Sequence, residues 1–215
     1  MRGNELEICF MMGAHPKIKP GGAELQLYQI AQLMSKGRHK VHLVTDSPEI
    51  SGNSTNWEEG GIRYHKIKSK NMFLKYLIVP FLIFGRIDAS IYISRGLFFS
   101  LATTLYCKLY RRKSVYMVAL STDCIPPITW PVFKDLFKKG IRLGVISLLN
   151  QLGMCLADKV TAQSEHQKRL LNKNFGIGSI VIKNGMSIPL RLPEKELPLM
   201  VLWLASLQRW KQAEI

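Results

Sequence analysis

Apolar residues in this chain alternate between short unbroken runs and longer stretches where they return every three or four positions. Leu6-Glu7-Ile8-Cys9-Phe10-Met11-Met12 is a run of strand length, and Val41-His42-Leu43-Val44-Thr45 is another. Between them Leu25, Tyr28, Ala31 and Met34 recur at helical spacing, and Gly37 supplies a stop. Strand, helix and strand in that order open a βαβ unit, the building block of a parallel sheet. Further strands are predicted at Ile62–Lys68, which alternates apolar and polar, and at Ala89–Ser94, Ser114–Leu120, Lys159–Gln163 and Ile180–Ile182. Helical spacing covers 71–86, 97–111, 129–155 and 165–173, and Ser164 with Gln167 three residues on reads as the capping box of the last of these. The predicted fold class is α/β, a Rossmann-like parallel sheet flanked by helices.

The first strand and its helix are joined through Lys19-Pro20-Gly21-Gly22-Ala23-Glu24. Two glycines at a helix entry let another molecule come close to the backbone. The free amides of the first helical turn then offer a seat for an anion such as phosphate. The dinucleotide pattern G-x-G-x-x-G is absent, so a tight turn without a ligand stands beside the phosphate reading.

Charge is unevenly spread. The 215 residues carry a net +15, and residues 61–160 hold 16 basic against 4 acidic side chains, whereas residues 1–60 are close to neutral. Within the basic middle, Trp130, Phe133 and Phe137 are interleaved with Lys134, Lys138, Lys139 and Arg142, and Arg111-Arg112-Lys113 adds a cluster. That pattern suits an anionic membrane surface or a solvated basic face. No nucleic-acid-binding signature accompanies it, so no nucleic-acid partner is expected. The most hydrophobic stretch, 72–87, is interrupted by Lys75, Pro80 and Arg86, too short and broken to span a bilayer. No secretory signal precedes the first strand, and the expected location is cytoplasmic, with a peripheral place on the inner face of the membrane as the extension of the basic middle. Cys9, Cys107, Cys124 and Cys155 show no C-x-x-C spacing and read as small buried hydrophobes. No two histidines have metal-ligand spacing with a carboxylate, so no metal site is expected. His15, in the loop after the first strand, reads as a solvent-exposed loop residue or a cleft residue. His39, His42, His65 and His166 read as structural.

Asn184-Gly185 is a turn signal, and Pro189, Pro193 and Pro198 punctuate a linker over 187–198. Leu199–Leu204 then reads as a new buried strand, followed by the beginning of a helix. The expected organisation is one domain over 1–186, the linker, and the truncated start of a second domain over 199–215.

These segments resemble, in order and at matching spacing, the family 4 retaining glycosyltransferases of the GT-B fold. Gly21-Gly22-Ala23-Glu24 and Gly37–Thr45 look like the start of that family. Ala157–Ser164 is similar to its "A-D-x-V-x-x-x-S" segment, and Val181–Met186 to its "V-I-x-N-G-V" segment. Val201–Lys211 resembles the first strand and loop of its nucleotide-sugar-binding domain. The resemblance implies two Rossmann-like domains across a cleft, the first holding a glycan or lipid-linked glycan acceptor and the second a nucleotide-sugar donor. It implies retention of anomeric configuration, and neither a cofactor nor a protein-ligated metal. Gly21, Gly22 and Lys211 would contact the donor phosphate, with His15, Asp123, Asn184 and Gly185 as further cleft candidates and the catalytic residues unassigned. Two positions depart from the family pattern. No histidine follows the strand at Val115–Leu120, where Ser121 and Asp123 stand instead, and Ala205-Ser206 replaces the usual Gly-Arg. Those departures fit an alternative, a non-catalytic half-domain acting as a membrane-associated scaffold or partner-binding module.

Overall fold

The first apolar run forms β1 (Glu7–Met12) and the second forms β2 (Lys40–Thr45), with α1 (Gly22–Lys36) between them. A computed structural model describes residues 5–13, 15, 21–46, 56–68, 78–95, 99–126 and 141–185, all within one compact unit, Met1–Gly185. Chain order continues through β3 (Asn56–Glu59), β4 (Ile62–Lys66), α2 (Val79–Phe84), β5 (Ile91–Arg95), α3 (Ser100–Leu109), β6 (Lys113–Met117) and a 3₁₀ turn (Ser121–Cys124). It ends with α4 (Ile141–Leu156), β7 (Lys159–Ala162), α5 (Glu165–Phe175) and β8 (Ser179–Val181). The predicted linker, the second-domain start with Lys211, and the aromatic–basic segment from Trp130 to Lys139 lie outside the described residues. So do the first parts of the helices expected over 71–86, 97–111 and 129–155.

The strands make one eight-stranded sheet in the order β3-β4-β2-β1-β5-β6-β7-β8, parallel throughout except for the β3–β4 pair. From β1 the chain builds outward through β2 to β4 and β3, then returns to begin β5 on the other side of β1. The β1–β5 seam is therefore the point where strand order reverses.

Burial explains the apolar runs. In β1, Ile8, Phe10 and Met12 face one layer with Leu27, Ala31 and Leu43, while Cys9 and Met11 face the other with Phe84, Tyr92 and Tyr106. A strand buried on both faces needs a continuous run, and each large side chain so buried contributes about 2 kcal/mol. In α1 the buried face is Gln26, Leu27 and Ala31, whereas Leu25 and Met34, expected to face the core, are exposed. The helix meets the sheet through the i, i+4 pair Leu27 and Ala31. α4 crosses α3 so closely that a Cβ on Gly153 would fall on the backbone of Ser100 and Leu101. Three cysteines are buried as expected; Cys155 is exposed.

Ser164 caps α5, its Oγ accepting from Gln167 N at 3.2 Å. The return contact departs from the expected box, because Gln167 Oε1 accepts from Gln163 N (2.8 Å), one residue before the cap.

Candidate functional site

In a parallel sheet, ligands bind outside the carboxyl ends of the strands, where strand order reverses. Here that place is the carboxyl edge of β1 and β5, and α1 begins beside it. Gly21 is the N-cap of α1, with extended backbone (φ −117°, ψ 144°), and Gly22 is the first helical residue. Neither has the left-handed conformation that only glycine takes easily, so the turn does not require glycine for its path. Space is what they provide. A Cβ on Gly21 would fall on the carboxylate of Glu24, which folds back over the cap, while Gly22 is exposed with open space in front of it.

From α1 a strip of polar groups runs along the sheet edge. Arg95, the last residue of β5, donates from Nη1 to Oε1 of Gln26, itself buried in α1. Glu24 and Asp123 lie within electrostatic reach of the Arg95 guanidinium, and burial pulls its pKa down. Asp123 is 6% exposed in the 3₁₀ turn. Its Oδ2 accepts from the amides of Ala119 (3.1 Å) and Leu120 (2.9 Å). Burial nonetheless raises the Asp123 pKa, against the opposing pull of those amides and of Arg95. Next along the edge, Gln163 after β7 donates to Val118 O at 2.7 Å, and Asn184 after β8 donates to Gln163 Oε1 at 3.2 Å. The strip thus joins the ends of β5, β6, β7 and β8 to the start of α1.

Of the residues singled out in the sequence, Gly21, Asp123 and Asn184 lie on this strip, with Gly22 opening α1 beside it. Gly185 follows Asn184, exposed and with open space where a Cβ would stand. His15 is fully buried rather than solvent-exposed, its ring edge-on to Tyr28 at 4.9 Å and tilted against Tyr64 at 5.7 Å. The aromatic wall that encloses it comes from α1 and β4, distant in sequence. Asp158, from the Ala157–Ser164 segment, is at the opposite, amino edge of the sheet, where its Oδ2 accepts from Ser114 N (2.8 Å) and Oγ (2.9 Å) and ties β7 to β6. Sequence reasoning missed Arg95, Gln26 and Gln163. Arg95 carries a signal, being a cation two residues past the apolar run Ile91–Ile93, whereas Gln26 and Gln163 carry none.

Among the described residues, no cluster of three or more histidine, cysteine or acidic side chains could hold a metal ion. No helix there is long and apolar enough to cross a membrane.

No family model and no curated protein sequence matches the chain. Solved structures do. A sucrose-phosphate synthase from Thermosynechococcus elongatus aligns with a TM-score of 0.58 at 10% identity, over 83% of this chain and 48% of that one. Anabaena HepE in complex with UDP and glucose aligns with a TM-score of 0.53 at 16% identity, over 85% and 45%. Phytolacca americana UGT2, complexed with UDP-2-fluoro-glucose and pterostilbene, gives 0.50 at 10% identity, over 88% and 55%. The chain spans about half the length of the structures it matches. At these identities the likeness is one of fold, and the eight-stranded, mostly parallel sheet with its flanking helices is a Rossmann-like domain of the GT-B type.

Proposed function

We propose that the chain is the acceptor-side domain of a glycosyltransferase. In this reading it moves a sugar with retention from a nucleotide-sugar donor, held mainly by a second domain beginning near residue 199, to a glycan or lipid-linked glycan. A family 4-like assignment rests on the ordered sequence segments, and a sugar-nucleotide donor is consistent with UDP in the HepE and UGT2 structures. The observation that carries the reading is Gly22: it opens α1 at the reversal point of strand order, exposed, with open space where a Cβ would stand. The amides of the first helical turn would receive a diphosphate once the Glu24 carboxylate, which lies over Gly21, swings aside. Catalysis in such a site comes from positioning the two sugars and stabilising the leaving diphosphate, with no covalent chemistry asked of this domain. Lys211 would serve the same diphosphate from the second domain. A lipid-linked acceptor would bring the basic middle of the chain against an anionic membrane surface.

The test is Gly22→Ala in the protein read on through codon 215 to include the second domain. Turnover should fall on the order of 100-fold, comparable to losing one oxyanion-type donor. Unchanged turnover would remove Gly22 from the donor site. An open frame beyond codon 215 encoding Glu-x-x-x-x-x-x-x-Glu is the expected companion result.

A further inference from the structure

We propose that Arg95 is a recognition residue for an oxyanion with two coplanar oxygens, a carboxylate or a phosphate, carried by the acceptor. Only the word "acceptor" rests on the glycosyl-transfer reading; the oxyanion site stands on geometry.

Arg95 closes β5 at the carboxyl edge, on the seam where strand order reverses. Its Nη1 is held by Gln26, a buried side chain on α1, which orients the guanidinium plane. That leaves the side-on edge, Nε and Nη2, the pair of parallel donors that matches a carboxylate or phosphate. Nε is shielded from water, yet it has no hydrogen-bond partner among the described residues. No carboxylate of the described residues forms an ion pair with Arg95 either. Asp123 and Glu24 act on it only at longer electrostatic range. Asp123 directs Oδ2 to two backbone amides, and Glu24 lies over Gly21.

A partly buried guanidinium without a hydrogen-bonded anion is a costly arrangement for a fold to keep. The neighbouring polar groups on the strip have found partners within the chain: Gln26, Asp123, Gln163 and Asn184 are each hydrogen-bonded. Among these groups Arg95 carries a buried Nε–H that no described residue accepts. An incoming oxyanion supplies the acceptors that the fold withholds.

The experiment uses the 215-residue chain, titrated with sodium glucuronate and, separately, with inorganic phosphate. The ¹H–¹⁵N resonance of the Arg95 Nε–H is followed, assigned by its absence in Arg95→Lys. A saturable shift is expected with at least one probe. Glucuronate alone assigns a carboxylate and phosphate alone assigns a phosphate. Affinity should weaken about tenfold in Arg95→Lys, followed through backbone amides, because lysine keeps the charge but loses the planar edge. Gln26→Ala, which frees the guanidinium plane, should weaken it by a smaller factor. Arg112→Lys, at an arginine already paired with Asp88, should leave it unchanged. No shift with either probe, or equal affinity in Arg95→Lys, overturns the proposal. The readout is binding, so an oxyanion site in a protein that transfers no sugar would sink the transferase reading and leave this one standing.

Discussion

Two groups of polar side chains flank β1, and they differ in how completely they satisfy themselves. On the β2 side, His42 Nε2 lies 2.9 Å from Glu7 Oε1 and His42 Nδ1 lies 2.9 Å from His65 Nε2. His65 Nδ1 is 3.0 Å from Asn56 Oδ1, so every imidazole nitrogen has a partner inside the chain. On the β5 side, Arg95 is tied through Nη1 and carries a buried Nε–H that no described residue accepts. A closed network stabilises the fold and has nothing left for a ligand, whereas an open one gives up some stability to keep donors available. Histidines attract functional readings by residue type, yet here the paired histidines are structural and the arginine is the group with capacity to spare.

The largest effect is expected from opening the closed network. His42→Ala removes its middle link and leaves Glu7 and His65 facing a gap, which should cost about 2–3 kcal/mol in urea unfolding. A loss below about 0.5 kcal/mol would show that the chain of contacts is decorative.

Acid should act on the same network. Burial, then the neighbouring His42 and Arg63, lower the pKa of His65 from 6.5 to about 4. Burial also lowers His42, against the pull of Glu7. With folded values below the unfolded one, the unfolded chain takes up protons first as pH falls. Stability from these groups is complete above pH 6.5 and is lost between there and about pH 4. The loss should be on the order of 1–2 kcal/mol after allowing for solvent screening. His65→Gln should flatten the dependence of the thermal midpoint on pH across that window, and an unaltered slope would contradict the assignment.

Arg95→Met tests the open side. Removing a partly buried, incompletely paired charge should leave stability within about 0.5 kcal/mol of the parent or raise it, while oxyanion binding is lost. A drop of more than about 2 kcal/mol would place Arg95 with the closed network instead. The smallest effect on stability is expected at Gly22→Ala, within about 0.5 kcal/mol, because the position is helical and its surroundings are open. An early-melting Gly22→Ala would make the glycine architectural.

Much of the fold was legible because buried parallel strands must be apolar on both faces. The runs at 6–12, 41–45 and 159–163 each became a strand at nearly the expected place. β3 was not legible: Asn56-Trp57-Glu58-Glu59 has one apolar residue, and it is a strand only because Gly60 and Gly61, at φ 60° and 74°, turn it back along β4. The strand at 91–95 was expected to end at Ser94, one residue short of Arg95, because a charged residue breaks an apolar pattern whatever its backbone does.

By itself the sequence determined the α/β class, the order of most elements, the cap at Ser164 and the start of α1 at its two glycines, all of which depend on neighbours a few residues apart. Only the tertiary structure decided which polar residues meet. It buried His15 between Tyr28 and Tyr64, and it sent Asp158 to the amino edge to hold Ser114. It also brought Gln26 to Arg95 across 69 positions of chain. Such pairings are fixed by strand order and helix placement, which bring distant residues to one sheet edge, and no local pattern encodes them.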